Sequence, residues 1–285
     1  MNKKRILTII AILLVLMLSC YIVYRVALPK NSIDVSLEDI NIIRLDYKEI
    51  IELPSLNEEE EGFTCTGLTY NVNNNSFFIG NYGKITKKTK KTPSIIQVDG
   101  EFKNVKNQIK IDNRNANIQG VSYDNKTDSL WYTDGKYIIN CTILGKEIKK
   151  FKCKGYERFS PNGVLVDNSE NAIWVLCLYN YLLKYDFDGK LLESFKSDYI
   201  GQDHLGYFGD GKLCFSVGED YMGDKNYVAV YSKQYMKIEK AYQVIGSYAI
   251  EGIAVVGSTL YIANDGFYHN AKIKKNYIAK YDLSE

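Results

Sequence analysis

The chain has 285 residues, 46% of them apolar and 25% charged, a globular composition large enough for one big domain or two ordinary ones. With 36 Lys and Arg against 34 Asp and Glu, the net charge of +2 gives no global field that would mark a nucleic-acid binder, so any basic site has to be local. Six Cys without a CxxC pair and only two His argue against a structural zinc site.

Ile6 to Tyr24 is an uncharged apolar run, and at about 1.5 Å per residue a helix of that length spans roughly the hydrocarbon core of a bilayer. One transmembrane helix is expected there. Lys3, Lys4 and Arg5 precede it and Arg25 and Lys30 follow, so the positive-inside bias favours a cytoplasmic amino terminus. Residues 1–30 then form a cytoplasmic stub and anchor, and residues 31–285 an extracytoplasmic body on a single-pass protein of the cell membrane. Two alternatives stay open: a lipoprotein signal ending at Ser19-Cys20, and a cleaved secretory signal, although Tyr24 to Leu28 offers no small-residue cleavage exit. All three place the body outside the cytoplasm.

Beyond Leu28-Pro29 no long amphipathic helix is readable. Short runs of Ile, Val, Tyr, Phe and Leu alternate instead with Gly, Asn and Asp turns, the pattern of an all-β chain. The runs repeat. Gly67 to Tyr70, Gly120 to Tyr123, Gly163 to Val166, Leu205 to Phe208 and Gly252 to Val255 each open a unit, and a second strand follows at Phe77, Leu130, Ile173, Leu213 and Leu260. The step between the two is the same in the first three units and shorter in the last two, which predicts hairpins with two turn lengths. Third strands recur at Ile95 to Asp99, Ile138 to Thr142, Leu182 to Asp186, Val228 to Ser232 and Ile278 to Asp282.

A weaker fourth strand is visible near Val105 to Ile111, Lys149 to Cys153, Leu191 to Phe195 and Ile238 to Val244, but the fifth unit has none. An unpaired outer edge is usually closed by a strand from the other terminus, and either Tyr47 to Leu53 or Ile40 to Leu45 can supply it. The expectation is therefore an all-β, five-bladed β-propeller preceded by one transmembrane helix, with a six-bladed propeller and a β-sandwich as alternatives.

In such a ring the first strand of each blade lines the channel, and the loops leading into it share a face with the loops joining strands two and three. The residues before the opening strands are Thr66, Gln119, Asn162, His204 and Glu251, five polar groups expected to form a channel ring that binds a ligand's polar head, an ion or water. Oxygen ligands also gather where the second strands end: Asn81, Asp134, Glu219, Asp220, Asn264 and Asp265. Calcium suits such hard donors, with Glu251, Asn162, Asp134 and Asp265 as its candidate ligands, while Asn and Asp at these points are equally ordinary turn formers.

Two lysine-rich loops fall on the same face. Lys84, Lys87, Lys88, Lys90 and Lys91 follow the second strand of the first blade, and Lys272, Lys274 and Lys275 occupy the same loop of the fifth. Ring closure makes these blades neighbours, so the lysines are expected to form a patch for an anionic ligand such as a cell-wall polymer; a solvated loop is the plainer reading. Partners are expected to be the membrane and a wall polymer or protein, not nucleic acid. Cys141 and Cys153, in adjacent strands of one blade, are close enough for a cross-strand disulfide.

No GxSxG, HExxH, P-loop or GxGxxG motif is present, so no reaction is readable. His204 and His269, the only imidazoles, both fall on the proposed functional face, and His204 can serve either as a base beside Glu251 or as an axial hydrogen bonder.

Ser160-Pro161-Asn162-Gly163-Val164-Leu165-Val166-Asp167 and Glu251-Gly252-Ile253-Ala254-Val255, each with its second strand, resemble blades of the NHL, SMP-30/gluconolactonase and SdiA-regulated propellers, the last group fitting best. That resemblance implies an exported propeller behind an amino-terminal membrane segment. The SMP-30 relation implies a metal-dependent hydrolase or lactonase, with Glu251 and Asn162 matching its glutamate and asparagine ligand types; Thr66 and Gln119 depart from that pattern, as does the blade count. Phe63-Thr64 and Gly67-Leu68 are similar to a strand of the five-bladed glutaminyl cyclases, whose active-site Trp and Glu pattern is absent. A non-enzymatic binding propeller is the leading expectation.

Overall fold

The structure is a computed structural model that describes residue 37 and residues 40–53, 63–83, 92–178, 181–196, 204–234 and 237–284. The expected anchor at Ile6 to Tyr24, with Cys20, and the lysines Lys84 to Lys91 lie outside the described residues. Among the described residues no helix is long and apolar enough to cross a membrane, and every regular element is a strand.

Five antiparallel units follow one another in chain order. Blade 1 is β3 (Cys65–Asn71), β4 (Ser76–Asn81), β5 (Ser94–Asp99) and β6 (Val105–Lys110). Blade 2 is β7 (Val121–Asp124), β8 (Ser129–Thr133), β9 (Ile138–Thr142) and β10 (Glu147–Phe151). Blade 3 is β11 (Pro161–Asp167), β12 (Ala172–Cys177), β13 (Tyr181–Asp186) and β14 (Leu191–Lys196). Blade 4 holds β15 (Leu205–Gly209), β16 (Lys212–Val217), β17 (Tyr227–Ser232) and β18 (Lys237–Val244), and blade 5 holds β19 (Ile250–Val256), β20 (Thr259–Asp265) and β21 (Asn276–Asp282).

Two early strands complete the ring, and they divide the work. β2 (Glu49–Glu52) pairs antiparallel with β21 and is the missing outer strand of blade 5. β1 (Asn41–Leu45) instead runs parallel to β18 and gives blade 4 a fifth strand, a pairing the sequence reading did not foresee. Five sheets, not six, make the ring, so the six-bladed alternative is set aside.

The continuous apolar second strands follow from this geometry. A blade is packed on both faces by its neighbours, so β4, β8 and β12 are buried at every position, whereas the outer strands β10 and β14 are exposed or half-buried throughout. Five apolar cores fill the five gaps between blades; Phe78 with Leu130 lies in one and Trp174 with Phe215 in another, and Ala254 with Phe77 seals the gap between blades 5 and 1.

The two turn lengths also have a local cause. In blades 1–3 the first hairpin opens on Asn71, Asp124 or Asp167, whose side-chain oxygen accepts the amide of the residue two positions on at 2.9–3.0 Å. Each of those loops ends on a left-handed Asn75, Asp128 or Asn171. Blade 4 instead turns on Asp210-Gly211, both at positive φ, which suits a two-residue hairpin.

The glycine that opens most units lets inner strands touch around the axis. A Cβ on Gly120 would stand 2.3 Å from the Asn162 carbonyl oxygen, and one on Gly252 would stand 2.5 Å from the backbone of Gly67 and Leu68. Gly252→Ala is accordingly expected to cost about 1–3 kcal/mol through overpacking at the point of ring closure, read as a lower urea midpoint with an unchanged slope. A midpoint within error of the parent would refute that tight contact.

The cysteine pairing differs from expectation. Cys141 and Cys153 face opposite gaps of blade 2, one packed with Ile95 and Tyr132 and the other with Val175 and Leu183. Cys153 lies beside Cys177 of blade 3 instead, Sγ to Sγ 3.8 Å, and all five described cysteines are free and buried.

Candidate functional site at the channel mouth

Glu251 is placed by a defect in a strand. Between Ile250 and Gly252 the register of β19 on β20 shifts, so Glu251 sits in a bulge and its carboxylate leaves the blade for the channel mouth. It is only 7% exposed. The chain's two histidines converge on it from different blades. His204, buried just before β15, brings Nε2 to 3.4 Å from Glu251 Oε2, and His269, in the loop after β20, brings Nδ1 to 3.4 Å from Glu251 Oε1.

Asp265, the last residue of β20, completes the cluster. Its Oδ1 accepts the amides of Phe267 and Tyr268 at 3.1 Å, which turns the loop and aims Oδ2 at His269 Nδ1, 3.4 Å away. Asp265 is fully buried, and Oδ2 has no hydrogen-bond partner among the described residues. The His269 ring is held flat against Tyr221, with centroids 4.6 Å apart and planes 15° from parallel. Donor atoms of Glu251, Asp265 and His269 all lie within 4.8 Å of one another, so these three residues can hold a metal ion.

The cluster opens on a cavity of about 170 Å³ walled by Thr64, Thr66, Tyr82, Asn117, Gln119 and Tyr268. Of the expected channel ring, Thr66, Gln119 and Glu251 line this cavity, and His204 joins through Glu251. Asn162 is not among its walls; it presents its backbone oxygen to the Thr133 hydroxyl at 2.7 Å. Thr66 spends its hydroxyl on the Ile118 carbonyl, 2.7 Å away in the approach to blade 2.

Of the four residues expected as metal ligands, Glu251 and Asp265 come together. Asp134 does not: its Oδ1 accepts the amides of Lys136 and Tyr137 and closes its own turn. Asn81 and Asn264 are turn and strand-end residues in the same sense, accepting the amides of Thr64 and Ala249. Asp220 Oδ1 likewise accepts the Gly223 amide at 2.8 Å.

Cys65 lies close by and is fully buried. Burial first, then the charges of Asp265 and Glu251, push its thiol well above the usual range, and its Sγ–H donates to the Asn264 carbonyl.

Three of the eight lysines of the expected patch are described. Lys275 pairs with Glu52 at 2.5 Å, Lys272 stands over the Tyr248 ring at 4.9 Å, and Lys274 is exposed. Lys84, Lys87, Lys88, Lys90 and Lys91 lie outside the described residues.

Sequence reasoning placed both histidines on this face but left His269 and the tyrosines Tyr82, Tyr221 and Tyr268 out of the site. The available signal was the spacing of Asp265 and His269, four residues apart in one loop. A second cavity, about 310 Å³ at the opposite mouth and lined by Leu68, Val121, Tyr123, Leu165, Tyr207 and Ile253, was also not anticipated.

Solved structures share the architecture. Myxococcus xanthus glutaminyl cyclase superposes with a TM-score of 0.60 over 85% of this chain and 99% of its own, at 10% sequence identity. The chain is a five-bladed β-propeller. A luciferin-regenerating enzyme matches with a TM-score of 0.53 over 82% of this chain and 95% of its own, at 11% identity. Identities this low carry the fold alone. No family model and no curated protein sequence matches the chain.

Proposed function

We propose that the chain is a membrane-tethered, extracytoplasmic binding propeller that takes its ligand at the channel mouth beside Glu251. One observation carries the reading: the only two imidazoles of the chain, from blades 4 and 5, meet a single buried carboxylate at the edge of a polar cavity. Burying a carboxylate is costly unless partners or a ligand compensate it, so a fold that brings three ionisable groups together there is set up for recognition. The apolar run Ile6 to Tyr24 supports the tether, and the blade motifs support kinship with SdiA-regulated propellers. Lys272 and Lys274, exposed beside the mouth, support an anionic polymer as partner.

A metal-dependent hydrolase or lactonase is the second reading, favoured by the histidine–glutamate contact opening on a cavity. The test is affinity capture from cell-envelope extract by the purified chain and by Glu251→Gln, run beside lactone and ester hydrolysis assays. Capture that drops about tenfold in the variant, equivalent to roughly 1.4 kcal/mol, with no turnover is the expected result. Turnover lost in Glu251→Gln would replace the binding reading with the hydrolase. In the same assay Lys272→Ser with Lys274→Ser is expected to weaken retention on anionic wall material; unchanged retention would remove the polymer from the proposal.

A further inference from the structure

We infer that the channel mouth is a three-ligand site for a first-row divalent cation of the zinc class, held by Glu251, Asp265 and His269. The inference rests on the binding reading above and deepens it by naming the ion. Its independent support is Asp265 Oδ2, an oxygen on a fully buried residue that accepts no hydrogen bond among the described residues while its sister oxygen accepts two backbone amides. A buried carboxylate oxygen left in this state is expensive, and a cation between it, Glu251 and His269 is the group that would satisfy it.

The geometry suits a small ion. Zinc bonds to His nitrogen and carboxylate oxygen are about 2.0–2.2 Å, and tetrahedral ligands at that radius stand roughly 3.3–3.5 Å apart. His269 Nδ1 lies 3.4 Å from both Glu251 Oε1 and Asp265 Oδ2. Donor chemistry then selects the class. Calcium takes six to eight oxygens, but an imidazole nitrogen occupies one corner here, and the neighbouring Asn264 oxygen is taken by the Ala249 amide. Three protein ligands leave a fourth position open for something further, and two of them, Glu251 and His269, line the cavity that Gln119 and Tyr268 also wall.

The surroundings orient the ligands. His204 Nε2 holds the other Glu251 oxygen at 3.4 Å, and Tyr221 fixes the plane of the His269 ring. His204 is thus a positioning residue outside the ligand set.

The test is calorimetric titration of the purified, chelator-treated full chain with Zn2+ and, separately, Ca2+, with the visible ligand-field spectrum of Co2+ as a second readout. One Zn2+ per chain is expected, with a Co2+ spectrum of a low-coordinate nitrogen–oxygen site. Asp265→Asn and His269→Gln should each weaken Zn2+ by about a hundredfold or more, and His204→Asn by about tenfold, the range seen for groups that orient ligands. Thermal melts of each variant identify any that has failed to fold. Ca2+ binding that His269→Gln leaves unchanged would overturn the zinc class while leaving the binding reading intact. A folded wild-type chain that binds neither ion would overturn the site, reducing the cluster to an ion-paired histidine; envelope capture lost in Glu251→Gln would still stand as evidence for the binding reading.

Discussion

Lys233→Met is expected to destabilise the propeller by about 3–5 kcal/mol at neutral pH, because it strands a buried carboxylate. Lys233, in the turn between β17 and β18 of blade 4, reaches across to blade 3, where its ammonium pairs with Asp167 and lies 2.8 Å from Glu170. The Lys233 side chain is 7% exposed and that of Asp167 1%, so neither charge has water as a substitute partner. Lys184 joins the cluster 2.8 Å from Glu170. Burial pushes the Asp167 carboxyl up, but the Lys233 ammonium and Ser169 outweigh it and leave the group below the usual aspartate range. Burial likewise opposes the charge on Lys233, and Asp167 with Glu170 outweighs it, so the ammonium titrates above the ordinary lysine value.

The signs define a window. A depressed carboxylate contributes stability above its unfolded pKa, near 4, and loses it as pH falls through the folded value; a raised lysine contributes below about 10.5 and loses it as pH climbs through its folded value. The cluster therefore stabilises fully between those limits. In Lys233→Met the stranded Asp167 is relieved by protonation, so the stability gap to the parent should be widest at neutral pH and narrow toward pH 4. Melting temperatures across that range measure it, with a drop of about 10 °C at pH 7 for a domain of this size. Adding Asp167→Asn should recover part of the loss, since Asn keeps the oxygen that receives the Ser169 amide at 3.0 Å. A gap independent of pH would show that lost packing, not the stranded charge, dominates.

The sequence made the blades legible because their burial is periodic. β4, β8 and β12 are buried throughout with apolar centres, being enclosed on both faces, and the turn residues Asn71, Asp124 and Asp167 recur at matched offsets. Which early segment closes the ring was not legible, since Ile42-Ile43 and Ile50-Ile51 offer the same alternation. The choice is made by charge as well as shape: Glu49 and Glu52 meet Lys280 and Lys275 across the ladder, at 2.8 and 2.5 Å. Pairing Cys141 with Cys153 failed because sequence proximity within one blade does not reveal which face a side chain takes, and these two take opposite ones. His269 escaped notice for a related reason. Its contact with Glu251 is made by an irregular loop, and no strand period predicts where such a side chain lands.

A chain beginning at residue 54 is expected to lose its cooperative monomeric fold, whereas one beginning at residue 31 should keep it. The shorter chain gives up β1 and β2, and with them Leu45 and Leu53, each 4% exposed, together with partly buried Ile43, Ile50 and Ile51. Burial of a Leu side chain is worth about 1.5–3 kcal/mol, so two of them with the three isoleucines approach the whole stability of a typical domain, about 5–15 kcal/mol. The truncation also bares two long edges, β18 and β21, whose unpaired backbone groups invite pairing between molecules. Light scattering during size exclusion should therefore show oligomers, and the melt should lose its single sharp transition. The exposed ion pairs of β2 are not the cause: Lys275→Ser with Lys280→Ser should cost no more than about 1 kcal/mol per pair. Supplying a peptide of residues 38–53 in trans should restore a monomer to the shorter chain, because the ladder to β21 and the seat for Leu53 are offered by the body itself. A truncated chain that stays monomeric and melts within a few degrees of the longer one would show that the ring holds without a strand from the amino-terminal side.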